Sequence, residues 1–199
     1  MTPPLLFLHG FGGAGADFAH AGREVFEREY EIIAPDLRSA ERKITHRQFA
    51  IDMLALLDAR GIAKIKAIGV SMGAGTLLHL ATRAPERVEA MVIISSTMHF
   101  PEQARAIMRQ TMHEGQSVAD WLLHDPTDMN FTAADLSKVT ARTLVIYGDR
   151  DPLYPVEMGV SIYRAIPNAA LWVMPNAGHG DIFGDTQPTF VATAMRFLR

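Results

Sequence analysis

The chain has 199 residues, 48% of them hydrophobic and 21% charged, so it can bury one core, and bulk disorder is excluded. Nineteen basic against 22 acidic side chains leave a net charge of −3, which argues against a nucleic-acid binder built on clustered Lys and Arg. The absence of cysteine removes disulfides, thiolate nucleophiles and zinc–cysteine sites.

No stretch approaches the roughly 20 consecutive apolar residues of a membrane helix. The start, Met1 to Leu8, lacks the basic residues and longer apolar run of a signal peptide, so a cytoplasmic protein without a membrane span is expected. Leu5-Leu6-Phe7-Leu8 reads as a short buried strand ending at Gly10. A helical stretch is expected from about Ala14 to Glu29, then a strand at Glu31 to Ala34 ahead of Pro35-Asp36. Between Thr45 and Arg60, Phe49, Met53, Leu56 and Leu57 share one helical face, and Gly61 ends the helix. Ile65 to Val70 is the third strand, followed by a helix over Met72 to Arg83. Val88 to Ile94 and Thr143 to Tyr147 are the fourth and fifth strands. A helix near Val156 to Ala165, a sixth strand at Leu171 to Met174 and a helix from about Thr186 to Leu198 close the chain.

Strand and helix alternate and the strands are apolar on both faces, the pattern of an α/β fold: a doubly wound, mostly parallel six-stranded sheet covered by helices on both sides. Residues Ser96 to Ala141 interrupt it with two expected short helices and no strand, giving a 46-residue lid. The core is then 1–95 and 142–199, and the lid 96–141.

Three motifs lie where strands end, the side on which open α/β sheets bind ligands. Gly69-Val70-Ser71-Met72-Gly73 is a G-x-S-x-G between strand and helix, a turn that exposes the serine and aims the Met72 amide toward an oxyanion. On its own such a match is common by chance and reads equally as a serine capping a helix. Gly148-Asp149-Arg150-Asp151-Pro152 follows the fifth strand and Asn176-Ala177-Gly178-His179-Gly180 the sixth. A serine nucleophile needs a base such as neutral histidine, and the imidazole needs a carboxylate to fix its tautomer. Serine, aspartate and histidine occur here in that chain order, with Asp149 and Asp151 both available.

With these motifs, nearly the whole chain resembles the α/β-hydrolase superfamily. His9-Gly10-Phe11-Gly12-Gly13 is similar to its oxyanion loop, and Pro35-Asp36-Leu37-Arg38 to the segment after its next strand. The resemblance implies Ser71 as nucleophile, Asp151 rather than Asp149 as acid, His179 as base, and Phe11 and Met72 as donors of the oxyanion amides. It also implies no cofactor, no metal and a small-molecule ester as partner, leaving the oligomeric state open. Measured against the family, the first two strands are expected to be missing, and Ser39-Ala40-Glu41 replaces the usual glycine-rich continuation after Arg38.

The reading is therefore a serine hydrolase, a carboxylesterase acting on small or medium neutral esters. Lactonase, thioesterase, carbon–carbon bond hydrolase and cofactor-free perhydrolase activities use the same triad, whereas the dehalogenases and epoxide hydrolases of this fold use an aspartate where Ser71 stands. The lid carries three basic against six acidic residues and four methionines, which favours neutral apolar esters over acyl-CoA.

Two readings of other classes compete. Gly10 to Gly15 also satisfies G-x-G-x-x-G, with Asp36 placed for a ribose, the pattern of an NAD-dependent oxidoreductase. A ligand-binding hydrolase fold without catalysis would be free to lose a triad member, and none is lost. His20, His46, His79, His99, His113 and His124 lack metal-ligand spacing and are expected in surface or lid roles, with His9 shaping its loop. Asp125 and Asp128 read as turn residues around Pro126-Thr127.

Overall fold

The computed structural model describes residues 3–37, 45–111 and 128–199. Arg38 to Glu41 and the middle of the expected lid, including Met112, His113, Trp121, His124 and Asp125, lie outside the described residues.

Six strands form one all-parallel sheet: β1 (Leu5–Leu8), β2 (Ile32–Ile33), β3 (Ile65–Val70), β4 (Val88–Ile94), β5 (Arg142–Gly148) and β6 (Ala169–Met174). Their spatial order is β2-β1-β3-β4-β5-β6, so the chain winds outward from β1 in both directions. Side chains alternate across the sheet. Leu6, Leu8, Met91, Ile93, Val145 and Tyr147 enter one core layer, and Leu5, Phe7, Val92, Ile94, Leu144 and Ile146 the other.

The first layer is closed by α2 (His46–Ala59), α3 (Met72–Arg83) and α6 (Val156–Ala165). The second is closed by a short 3-10 turn (Gly15–Ala19), α1 (Arg23–Phe26) and α7 (Gln187–Leu198). The helical stretch expected from about Ala14 to Glu29 is present as two short pieces. Gly22 takes φ +91° between its two pieces, a conformation outside the right-handed helix. What the residues there share is a packed aromatic row, with Phe7 stacked on Phe18 at 4.3 Å and Phe26 beyond it at 5.3 Å.

Local signals fix α2 at both ends. The Thr45 side chain accepts the Gln48 amide at its start, and Gly61 at φ +64° follows its last turn. Between β4 and β5 come α4 (Glu102–Thr111), a one-turn α5 (Ala133–Leu136) capped by Thr132, and an isolated antiparallel bridge between His99 and Asn130. Among the described residues, no helix is long and apolar enough to cross a membrane.

Candidate active site

Ser71 sits at the junction of β3 and α3 with φ +50° and ψ −108°, a conformation that costs a non-glycine residue roughly 1–3 kcal/mol. Two hydrogen bonds hold it there. Its amide donates to the Ile94 carbonyl at 2.8 Å, and its own carbonyl accepts from Gly75 at 3.0 Å. The flanking glycines are required by close approach. A Cβ on Gly69 would lie 2.7 Å from the Gly73 carbonyl oxygen, and one on Gly73 would lie 2.1 Å from that of Leu8. Strand and helix can cross this tightly only without side chains at both positions.

The loops after β5 and β6 bring their residues to this serine. His179 Nε2 is 2.9 Å from Ser71 Oγ, and His179 Nδ1 is 2.8 Å from Asp151 Oδ2. The second oxygen of Asp151 accepts the Leu153 and Tyr154 amides at 2.8 and 3.0 Å, and the side chain is fully buried. Burial opposes ionisation of Asp151. The His179 hydrogen bond and charge, with the two amides, outweigh it and hold the carboxyl below its ordinary range. Asp149 is placed differently, with a part-exposed carboxylate 3.7 Å from Arg150.

His179 is braced from both sides. The Tyr154 ring packs edge-on against it at 5.1 Å, and the following amide of Gly180 donates to Ser95 Oγ at 3.0 Å. Burial pushes the Tyr154 hydroxyl well above the usual phenol range, keeping it neutral. Ser95 has φ +50° at the end of β4, and nothing in the sequence marked it as a support for the histidine loop.

Phe11 and Met72 both line the cavity above Ser71. Met72 is the first residue of α3, so its amide belongs to the helix's unsatisfied first turn, at the positive end of the dipole. The Phe11 loop is set by His9, which is buried. His9 Nε2 accepts the Leu37 amide at 2.7 Å, and Nδ1 lies 2.7 Å from the Gly10 carbonyl, which fixes the tautomer with hydrogen on Nδ1. Asp36 accepts the Gly15 amide at 2.8 Å, tying the first loop to the second; that carboxylate oxygen is taken up within the protein.

The cavity holds about 440 Å³ and is walled by Phe100, Met108, Leu153 and Phe183 beside Ser71 and His179. His46 also reaches it, which corrects the expectation of a surface or lid role: the side chain is 96% buried, with its Nδ1 2.6 Å from Asp128. Asp128 is likewise buried and organises the start of α2, accepting the His46 and Arg47 amides at 2.8 and 3.1 Å. The His79 ring nitrogen lies 2.6 Å from the Asp128 carbonyl. Residues 46 and 128 are 82 apart in sequence, so no spacing signal could have joined them. Among the described residues, no group of three or more His, Asp or Glu is arranged to hold a metal.

A strained serine turn between β3 and α3, with aspartate and histidine on the loops after β5 and β6, is the arrangement of one large class of α/β enzymes. The chain belongs to the α/β-hydrolase fold family, whose family model matches residues 3–127; a second model, described as TAP-like protein, matches 104–199. It is a hydrolase. Its sequence is 26% identical to the 2-hydroxymuconate semialdehyde hydrolase of Pseudomonas putida, over 88% of this chain and 80% of the relative. In fold it is similar to naproxen esterase (carboxylesterase NP) of Bacillus subtilis, with a TM-score of 0.81 and 21% identity over 100% of this chain and 84% of that one. A thermophilic esterase of Thermogutta terrifontis superposes with a TM-score of 0.77 and 22% identity over 98% and 88% of the two chains.

Proposed function

We propose that the protein is a serine hydrolase that cleaves carboxylic esters through an acyl-enzyme, acting on small or medium neutral esters. The observation that carries this is the continuous chain of Asp151, His179 and Ser71 at 2.8 and 2.9 Å, ending at a strained serine on a cavity wall.

In this reading Asp151 accepts Nδ1–H and leaves the Nε2 lone pair facing Ser71 Oγ. As Oγ bonds to the ester carbonyl carbon, its proton passes to Nε2, and Asp151 stabilises the imidazolium. The carbonyl oxygen, now an oxyanion, is held by the Phe11 and Met72 amides. His179 then protonates the departing alkoxide, and the carbon–oxygen ester bond breaks. A water molecule, giving its proton to the same Nε2, attacks the acyl-enzyme; collapse returns Ser71 and releases the acid. No step needs a cofactor.

The predominantly apolar wall and a cavity of about 440 Å³ support neutral substrates of modest size. The test is a panel of p-nitrophenyl esters, lactones, aryl thioesters and an acyl-CoA, assayed on the wild type and on Ser71→Ala. Turnover is expected to be highest on the simple esters and to fall at least about 10³-fold in the variant. Ester hydrolysis by Ser71→Ala within tenfold of the wild type refutes the mechanism. A higher kcat/KM for acyl-CoA than for a matched simple ester refutes the substrate class.

A further inference from the structure

Beyond the triad, one side chain in the cavity wall has the geometry of a ligand-binding group. The His46 ring is held by its Nδ1 edge to Asp128, its opposite edge packs against α3, and the residue lines the cavity. That edge lies against Gly75, one helical turn along α3 from Ser71, or about 6 Å. A Cβ on Gly75 would come 2.7 Å from His46 Cδ2 and 3.1 Å from Nε2, so the glycine makes room for the ring. A glycine inside a helix costs about 1 kcal/mol relative to alanine, and here the imidazole occupies the space it frees.

The two nitrogens are unequal. Nδ1 faces a carboxylate, which is an acceptor, so the neutral ring carries its hydrogen there and presents a lone pair at Nε2. Among the described residues, the hydrogen bonds of His46 run from its amide and from Nδ1, both to Asp128. Two other polar wall residues differ: His9 is engaged at both nitrogens, and Asp17 accepts the Ala14 amide. An imidazole nitrogen in a cavity-lining residue, with its ring fixed by a carboxylate, is suited to accept from a ligand donor.

We infer that His46, oriented by Asp128, is a specificity residue that accepts a hydrogen bond from a hydroxyl of the substrate, about one helical turn away from the scissile carbonyl. The preferred substrates are then hydroxylated esters rather than plain alkyl ones. This deepens the proposed esterase reading and rests on it. Asp128 touches no substrate in this scheme; it is a positioning residue that keeps Nε2 free.

Two matched pairs test it on the whole protein: p-nitrophenyl hexanoate against p-nitrophenyl 6-hydroxyhexanoate, and butyl butyrate against 4-hydroxybutyl butyrate. In the wild type, at least one hydroxylated ester is expected to have a kcat/KM about three- to tenfold higher than its partner, the scale of one neutral hydrogen bond, chiefly through KM. In His46→Leu that ratio should fall to one or below, and in Asp128→Asn to an intermediate value. The wild-type ratio stands even if a variant fails to fold. Ratios of one or below in both wild-type pairs overturn the inference, as does an undiminished ratio in folded His46→Leu. Wild-type preference for a matched carboxylated ester would also overturn it, since that needs a protonated ring donating from Nε2. Failure to hydrolyse any of the esters would instead refute the esterase reading, and the inference with it.

Discussion

Replacing Asp151 by asparagine should disable the site through geometry that can be followed atom by atom. In the native arrangement one carboxylate oxygen accepts from Leu153 and Tyr154 and the other faces His179 Nδ1. An asparagine must keep its carbonyl oxygen on the two amides, because its NH2 group there would set donor against donor. The NH2 then faces Nδ1, which must become the acceptor, and the ring hydrogen moves to Nε2. Nε2–H now points at Ser71 Oγ and has no lone pair to take its proton. Loss of the base by tautomer exchange is worth roughly 10⁴-fold in kcat, or about 5.5 kcal/mol of transition-state stabilisation. Asp149→Asn changes only a part-exposed pair with Arg150 and should alter kcat by less than about twofold. Steady-state kinetics on p-nitrophenyl butyrate, with circular dichroism to confirm folding, measure both. Asp151→Asn retaining more than a tenth of wild-type kcat, or Asp149→Asn losing the greater share, would refute this assignment of the carboxylates.

Gly15→Ala places a Cβ 2.0 Å from the Ala34 carbonyl oxygen and displaces the amide that Asp36 holds. A loss of about 2–4 kcal/mol is expected from overpacking and the weakened charged hydrogen bond, read as a lower urea midpoint; an unchanged midpoint would count against it. His79 is held at about 4 rather than 6.5 because burial disfavours the imidazolium, against the pull of Asp128. The unfolded chain therefore takes up the proton first, so this contribution is full above about pH 6.5 and lost as pH falls toward 4, amounting to about 3 kcal/mol. Urea melts at pH 7, 5 and 4 should show a shallower loss in His79→Gln, whose amide can still donate to the Asp128 carbonyl; parallel losses would show that His79 does not titrate as described.

Much of the fold could be read because the signals were local. Ile65 to Val70, Met72 to Arg83 and Val88 to Ile94 have the bounds expected from apolar runs and breakers, and the three strand-end motifs meet as chain order implied. The stretch from Ala14 to Glu29 is not continuous because Gly22, at φ +91°, turns the backbone between Phe18 and Phe26. Glycines flanking Ser71 were visible as a motif, but the backbone that Gly73 approaches, Leu8, belongs to another strand. The same limit hid His46 and Asp128. A turn aspartate and a helix-start histidine look ordinary until the sheet brings residues 46 and 128 within 2.6 Å. Gly15 was legible only as the last glycine of a G-x-G-x-x-G pattern, since it is the fold that puts the Ala34 carbonyl beside it.

The central claim, that Ser71 is an activated nucleophile, is tested most directly by covalent labelling with a fluorophosphonate, followed by intact mass and peptide mapping. One equivalent on the peptide bearing Ser71, with parallel loss of esterase activity and no labelling of Ser71→Ala, is the predicted result. Full ester turnover by a protein that takes up no label at Ser71 would contradict it.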